Sequence, residues 1–440
     1  MNNRDDRSNG NGGKGVHGQS GGTERWWKPW NTAVMVERSD AQVALILEAV
    51  REHRVDVHRG PDGTVDYIRR HRLLTDIDDV PDVYRRLGRP APPQSQRNNT
   101  KLKRLHRFEV DLEPDQSLDD LLDDLDENVR AGAVTPDYLL HVCTTWCGAT
   151  EPHPTTATEP LDRNTDPAAT GKDIRVSVVD TGVLSQVVQD HSWLSASPAV
   201  SGDHEPPNIG HYAGHGTFIA GVVRAYAPDA NVRVESVTTM GGTVFESDMV
   251  DQLIDALAFD PHVISFSGGT RTRGDRPLKS FEMFYEEHLE QRGGRTVFVA
   301  AAGNDGDEGT FWPAAFDWAV GVGALDDDRD TLAGYSNSGS WVDVYALGTE
   351  VANAYPSSTT YTYLEPPDLG SPDATFPNGM ATWSGTSFAA PMVAGLIAAR
   401  MSWNGAEARP TWNQVRSIAV ADAGAGLDAR LRNARAASRP

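Results

Sequence analysis

Residues 383–400 read WSGTSFAAPMVAGLIAAR, a run with a single charged residue at its very end. After the short turn Ser384, Gly385 and Thr386, the apolar residues Phe388, Met392, Val393, Leu396 and Ile397 recur at helical spacing, with alanine and glycine between them. A helix this apolar on every side has no surface to lie on, so the pattern predicts a helix buried inside a large domain. Ser387 opens that helix. One reading is a capping hydroxyl, a role for which serine is favoured. The other is chemical, because first-turn N–H groups turn their positive partial charge outward, where a developing negative charge is stabilised. Pro391 is expected in the first turn, where its ring is tolerated.

Upstream of this helix, from about residue 172, the chain has the grammar of a parallel sheet. IRVSVVD (174–180), VRVESVTT (232–239), VISFSG (263–268), TVFVAAAGN (296–304), WAVGVGALD (318–326) and WVDVYAL (341–347) are short β-rich runs with little polar alternation. Helical patterns separate several of them, notably SDMVDQLIDALAF (247–259) and KSFEMFYEEHLEQRG (279–293). Strands buried on both faces need helices above and below, which predicts an α/β domain with a mainly parallel sheet. Ligands of such sheets bind outside the carboxyl ends of the strands.

Three further residues share that rim. Asp180 ends IRVSVVD and precedes Thr181-Gly182, Asn304 ends TVFVAAAGN, and His215 stands between Gly214 and Gly216 at the start of the apolar helix pattern FIAGVVRAY. Each has a plain local reading, as a turn residue or a buried histidine. Together with Ser387, two follow apolar strands and two open apolar helices, so all four can meet at one edge of one sheet.

These motifs resemble the subtilisin-like serine peptidases: DTG at 180–182, GHGTFIAG at 214–221, AAGN at 301–304 and GTSFAAP at 385–391, in that family's order of Asp, His, Asn and Ser. The resemblance covers roughly 172 to 420 and implies the subtilisin-like fold and a serine endopeptidase acting through an acyl-enzyme. It implies Ser387 as nucleophile, His215 as general base and then acid, Asp180 as the carboxylate that orients the imidazole, and Asn304 as an oxyanion donor. It further implies that Ser267, Gly268 and Gly269 pair with an extended polypeptide substrate, and that Pro313 and Ala314 build the pocket floor. Phe218 and Phe388 depart from the family's usual histidine and methionine. Residues 354–382 form a long Pro, Tyr and Gly rich insert before the nucleophile turn. Two other readings stay open: a protein-binding platform whose protease domain is silenced by its own N-terminal domain, and peptide ligation by the same triad.

The N-terminal third has a different character. Residues 1–24 are Gly, Asn, Ser and charge, which predicts disorder. Residues 25–147 alternate between strand and helix and read as a small α+β domain: a three-indole cluster at Trp26, Trp27 and Trp30, a strand TAVMVE, a helix after Ser39, a hairpin through VDVHRG and TVDYIRRHRLL, a strand LHRFEVDL, a helix SLDDLLDDLDENVRAG and a strand DYLLHV. The acidic run 111–127 reads most simply as a solvated helix face. Residues 148–171 read as an exposed linker, leaving 172–440 as the peptidase domain. In the family such N-terminal domains assist folding and lay their tail in the cleft, so the resemblance implies intramolecular inhibition, with 145–171 as the candidate pseudo-substrate. A permanent accessory domain is the alternative.

Composition excludes several classes. The chain of 440 residues carries 62 acidic and 40 basic residues, a net charge of −22, which argues against a nucleic-acid partner. Its two cysteines, Cys143 and Cys147, exclude a disulfide-dense scaffold. They lie between His141 and His153, but a zinc knuckle is disfavoured in so Thr and Pro rich a segment. No cofactor or metal is expected, and no sequence pattern identifies a calcium site. Without an apolar signal run or membrane-spanning stretch, a cytoplasmic protein is the expectation, non-standard export remaining open.

Overall fold

The structure, a computed structural model, describes residues 57–59, 65–68, 70–113, 116–141, 151–160, 163–205, 212–237, 242–357, 360–363 and 373–423. The indole cluster, the TAVMVE strand, the helix after Ser39 and both cysteines lie outside these residues.

The N-terminal part begins with the expected hairpin, β1 (Val57–Arg59) against β2 (Val65–Ile68), with His58 opposite Tyr67. Then come β3 (Arg70–Asp76), α1 (Val80–Arg86), β4 (Leu105–Asp111), α2 (Leu118–Asn128) and β5 (Val134–Pro136). Strand β3 is the middle of an antiparallel sheet ordered β4-β3-β5. Ser117 caps α2 by accepting the Asp119 N–H at 3.2 Å. The period of two decides where each residue of β3 goes. Leu73 packs with Val83, Phe108, Leu122 and Leu125 of this domain. Leu74, on the other face, joins Met249, Leu253 and Phe281 of the second domain.

That second domain is built on seven strands in the order β15-β14-β13-β12-β8-β10-β9, all pairs parallel. They are β8 (Arg175–Asp180), β9 (Ser201–Gly202), β10 (Asn231–Ser236), β12 (Val263–Phe266), β13 (Val297–Ala301), β14 (Val320–Leu325) and β15 (Val344–Leu347). The α/β class expected from the short apolar runs is what the chain forms. β8 is flanked by β10 and by β12, so the order reverses at its carboxyl end, where Asp180 stands. A crevice opens at such a reversal.

Two helices meet beneath it. α3 (His215–Tyr226) is buried along its whole length, and Arg224 is accommodated there by the carbonyls of Pro198, Ala230 and Ala196 at 2.5, 2.9 and 3.3 Å. The helix between 386 and 404, α6 (Thr386–Asn404), is buried from Thr386 through Ala399, as its apolar circumference requires. Each of its larger aliphatic side chains contributes about 1.5–3 kcal/mol by leaving water. Helices α4 (Glu246–Ala256) and α5 (Lys279–Phe284) cover the sheet on the side facing the N-terminal domain, and α7 (Ala408–Ala423) ends the described chain. Among the described residues no helix is long and apolar enough to cross a membrane.

The insert before the nucleophile turn runs from the end of β16 (Val351–Ala354) into β19 (Met380–Trp383) and contributes β17 (Thr360–Thr362) and β18 (Asp373–Thr375). Within the segment expected to be an exposed linker, β7 (His153–Pro154) pairs with β19, His153 opposite Thr382. Asn378 Nδ2 donates to the carbonyls of Thr155 and Ala157, both at 2.7 Å, so 153–157 is bound to the second domain.

Candidate active site

Because the sheet is parallel, the carboxyl ends of β8, β12 and β13 lie on one rim and deliver Asp180, Ser267 and Asn304 there. Asp180 Oδ1 accepts from His215 Nδ1 at 2.8 Å, and neither side chain has exposed surface. This bond uses the Nδ1 side of the imidazole and leaves Nε2 directed elsewhere. Nε2 is buried with no hydrogen-bond partner among the described residues. The His215 ring packs against both Trp383 and Phe388, with centroids at 5.1 and 5.4 Å, residues that flank the Ser387 turn on either side. Phe218, one turn along α3, meets the same two rings at 5.7 and 4.9 Å, so both departures from the usual family residues lie in one aromatic cluster behind the histidine.

Ser387 is the second residue of α6 and is 2% exposed. Pro391 lies deeper in the helix than the first turn in which the sequence suggested it, as the sixth residue of α6. A proline there has no N–H for the carbonyl four residues before it, which is that of Ser387. Ser267 meets that need: its Oγ donates to the Ser387 carbonyl at 2.9 Å in a buried bond.

Asn304 is aimed by its own oxygen. Oδ1 accepts from both the N–H and the Oγ1 of Thr386, at 2.9 and 2.8 Å, which turns the amide nitrogen away from these partners. Nδ2 lies 3.6 Å from where a Cβ on Gly385 would stand, beside the start of α6. Asn337 braces the same turn, taking the Asp305 N–H on Oδ1 at 2.8 Å and donating to the Ala302 carbonyl at 2.9 Å. The sequence marked neither Asn337 nor Thr386 as functional. Thr386 lies within a quoted motif, whereas Asn337 sits in a loop with no local signal.

The predicted substrate strand is occupied by the chain itself. His141 N–H donates to the Gly269 carbonyl and Gly269 N–H to the His141 carbonyl, both at 3.0 Å. On the opposite side, β6 (Leu139–His141) is antiparallel to β11 (Thr243–Phe245), with His141 opposite Thr243. His141, at the end of β6, therefore lies between two strand edges, upstream of the 145–171 tail that was expected there. Gly269 leaves room for nothing more, since a Cβ would stand 2.4 Å from the Trp312 carbonyl oxygen. Gly268 lies under the same strand, a Cβ there falling 3.0 Å from the His141 carbonyl oxygen. Trp312 bridges to Thr270 with bonds of 2.8 and 2.9 Å, and Pro313 and Ala314 follow it as buried residues, Ala314 packed in the core with Trp312 and Phe316.

The two domains meet through complementary charge. Arg72 pairs with Asp248 at 3.0 Å and Arg107 with the same carboxylate at 2.5 Å, while Arg104 reaches Glu286 at 2.9 Å. With the signs reversed, Arg273 pairs with Asp119, Asp123 and Asp126, and Arg276 with Asp126 at 2.7 Å. The acidic face of α2, read from sequence as solvated, is thus a docking surface for two arginines. At the centre Asp137, fully buried, holds Arg72 at 2.7 Å and accepts from the Ser247 N–H and Oγ at 3.0 and 2.8 Å.

A family model described as the subtilase family matches residues 171–436. A thermophilic serine proteinase of Bacillus sp. (strain AK1) is 30% identical over 234 residues, 51% of this chain and 51% of that protein. Halolysin of Haloferax mediterranei is 28% identical over 265 residues, 56% of this chain and 45% of that protein. The chain thus spans about half the length of the curated relatives it matches. Among solved structures, a cold adapted subtilisin-like serine proteinase aligns with a TM-score of 0.44 at 24% identity, covering 59% of this chain and 87% of that one. With the family model spanning more than half of its length, the chain belongs to the subtilase family.

Proposed function

We propose that this protein is a serine endopeptidase in which Ser387, His215, Asp180 and Asn304 hydrolyse peptide bonds through an acyl-enzyme. The observation that carries the reading is the buried 2.8 Å bond between Asp180 and His215 Nδ1, which leaves Nε2 to take the proton of Ser387. A serine hydroxyl is a weak nucleophile until a base removes that proton, and the imidazolium so formed is stabilised by the carboxylate beside it. Attack on a substrate carbonyl moves negative charge onto its oxygen, where Asn304 Nδ2 and the Ser387 N–H at the positive end of α6 donate. His215 then returns the proton to the leaving amine, and water, activated by the same imidazole, releases the acyl group.

The substrate on this reading is a polypeptide bound as an added strand between β11 and Ser267–Gly269, with Pro313 and Ala314 beneath its side chain. The N-terminal domain holds that edge with residues 139–141, which favours an intramolecularly inhibited state of the full chain. The chain is anchored there and again at 153–154 on β19, the strand that runs into Ser387. A self-cut falls between these anchors, in 142–150. Labelling of Ser387 by a fluorophosphonate, absent in Ser387→Ala, tests the nucleophile. Product masses separate hydrolysis from ligation, since an amine resolving the acyl-enzyme would join peptides instead of cutting them.

A further inference from the structure

The short segment 203–205 that follows β9 carries no motif, yet its Glu205 reaches the turn after Asp180 and the peptide flanks of His215. Glu205 Oε2 accepts the Gly214 N–H at 2.7 Å and the Thr181 hydroxyl at 3.3 Å. Thr181 Oγ1 in turn accepts the Gly216 N–H at 2.9 Å. Gly214 and Gly216 are the two chain neighbours of His215, so both peptide flanks of the imidazole end, directly or through one hydroxyl, on a single carboxyl oxygen. Thr181 also donates its N–H to Asp180 Oδ1 at 2.8 Å, the oxygen that receives His215 Nδ1.

The carboxyl is itself held in place. Glu205 N–H donates to the Val183 carbonyl at 3.1 Å, and Val183 N–H to the Asp203 carbonyl at 2.8 Å, which zips this segment to the turn after Asp180. There is no slack in the contact between that turn and α3, since a Cβ on Gly216 would stand 2.6 Å from the Gly182 carbonyl oxygen.

We infer that Glu205 is a positioning residue for the Asp180–His215 pair, tying the turn after Asp180 to both peptide flanks of His215 and so holding the imidazole against its carboxylate. The inference rests on the proposed triad. A carboxyl kept only as filler would be poorly chosen, because burying one costs free energy that an apolar side chain of similar size does not incur. Burial pushes Glu205 up to about 8, against the hydrogen bonds from Gly214 and Thr181, and the Asp180 charge adds to the rise. Glutamine keeps a side-chain oxygen that can accept both bonds and is therefore its close mimic.

The test compares Glu205→Gln with Glu205→Leu in the full chain. The first readout is the His215 Nδ1–H proton resonance in histidine-labelled protein carrying Ser387→Ala, assigned by its loss in His215→Gln; it needs neither turnover nor an open cleft. The second is kcat and KM for a peptide substrate in chains that keep Ser387. Glu205→Gln should retain the resonance and kcat, because its carbonyl oxygen accepts both bonds. Glu205→Leu should lose the resonance to solvent exchange and lower kcat about 100-fold with KM little changed, the size expected when a reacting group is misplaced by about 1 Å. Should Glu205→Leu fail to fold, Thr181→Val, which cuts the arm to Gly216, must show the same loss. Retention of both resonance and kcat in the leucine variant overturns the inference, as does equal loss in both variants. A wild type that never hydrolyses peptide defeats the proteolysis reading instead, while the resonance still decides the role of Glu205.

Discussion

The bond between Ser267 and the Ser387 carbonyl can be tested through the proline that makes it necessary. Ser267→Ala removes a buried donor 2.9 Å from that carbonyl. A hydrogen bond exchanged with water is worth about 1 kcal/mol net, rising to about 3 kcal/mol where the abandoned acceptor stays dry. Pro391→Ala supplies the missing helical N–H at the position that reaches residue 387. The prediction is therefore non-additive: Ser267→Ala costs about 1–3 kcal/mol alone and markedly less in the Pro391→Ala chain, a coupling of roughly 1 kcal/mol or more. The cycle is best measured by denaturant unfolding with Ser387→Ala in every member, which leaves the carbonyl in place and prevents self-cutting. Equal costs of Ser267→Ala with and without Pro391 would mean that the serine is not standing in for the helix bond.

The remaining expectations concern rate and docking. Asn304→Ala should lower kcat about 100- to 1000-fold with KM nearly unchanged, the loss found for one oxyanion donor in a subtilisin, and steady-state kinetics on a peptide reads it. The N-terminal domain, once nicked from its partner, should dissociate more readily at high salt, since Arg104–Glu286 and Arg273–Asp123 are partly exposed pairs that ions screen; gel filtration across a salt series checks this. Docking should also weaken as the medium turns alkaline. Burial first, and then the charge of Asp137, push the Glu246 carboxyl well above its ordinary value. A raised acid favours the docked state fully below its ordinary value and loses that contribution as pH rises through the raised one. At the acid end the sign reverses. Burial opposes it, but Arg72 and Arg107 hold Asp248 below its ordinary value, so its contribution is lost as pH falls through that depressed value. Release should thus be least between these limits, and Glu246→Gln should flatten the alkaline limb alone.

The central fold was legible because its residues answer to local rules. Short apolar β runs announced the parallel sheet, and the all-round apolar helix after Ser387 had to be buried. The placement of Asp180, His215, Asn304 and Ser387 on one rim followed from their strand-end and helix-start contexts. What stayed hidden depends on pairings between distant segments. Nothing near Asp119 or Asp123 reports that Arg273 lies opposite, so α2 read as a solvated face. The strand DYLLHV was recognised, but not that it crosses to β11 and Gly269, because strand partners are set by tertiary contact. Pro391 was placed too early because the helix start was judged from its cap residues alone, and Glu205 carried no signal because only its side chain's reach makes it matter.

The most direct test of the account is the intact mass of the full chain and its Ser387→Ala variant, each before and after a fluorophosphonate. The account predicts that the wild type alone loses its N-terminal segment by a cut within 142–150, and that the remaining piece gains one adduct while Ser387→Ala stays whole and unlabelled. Labelling or self-cutting of Ser387→Ala to the same extent would contradict it, as would a wild type that stays unlabelled after its N-terminal domain has been removed by another protease.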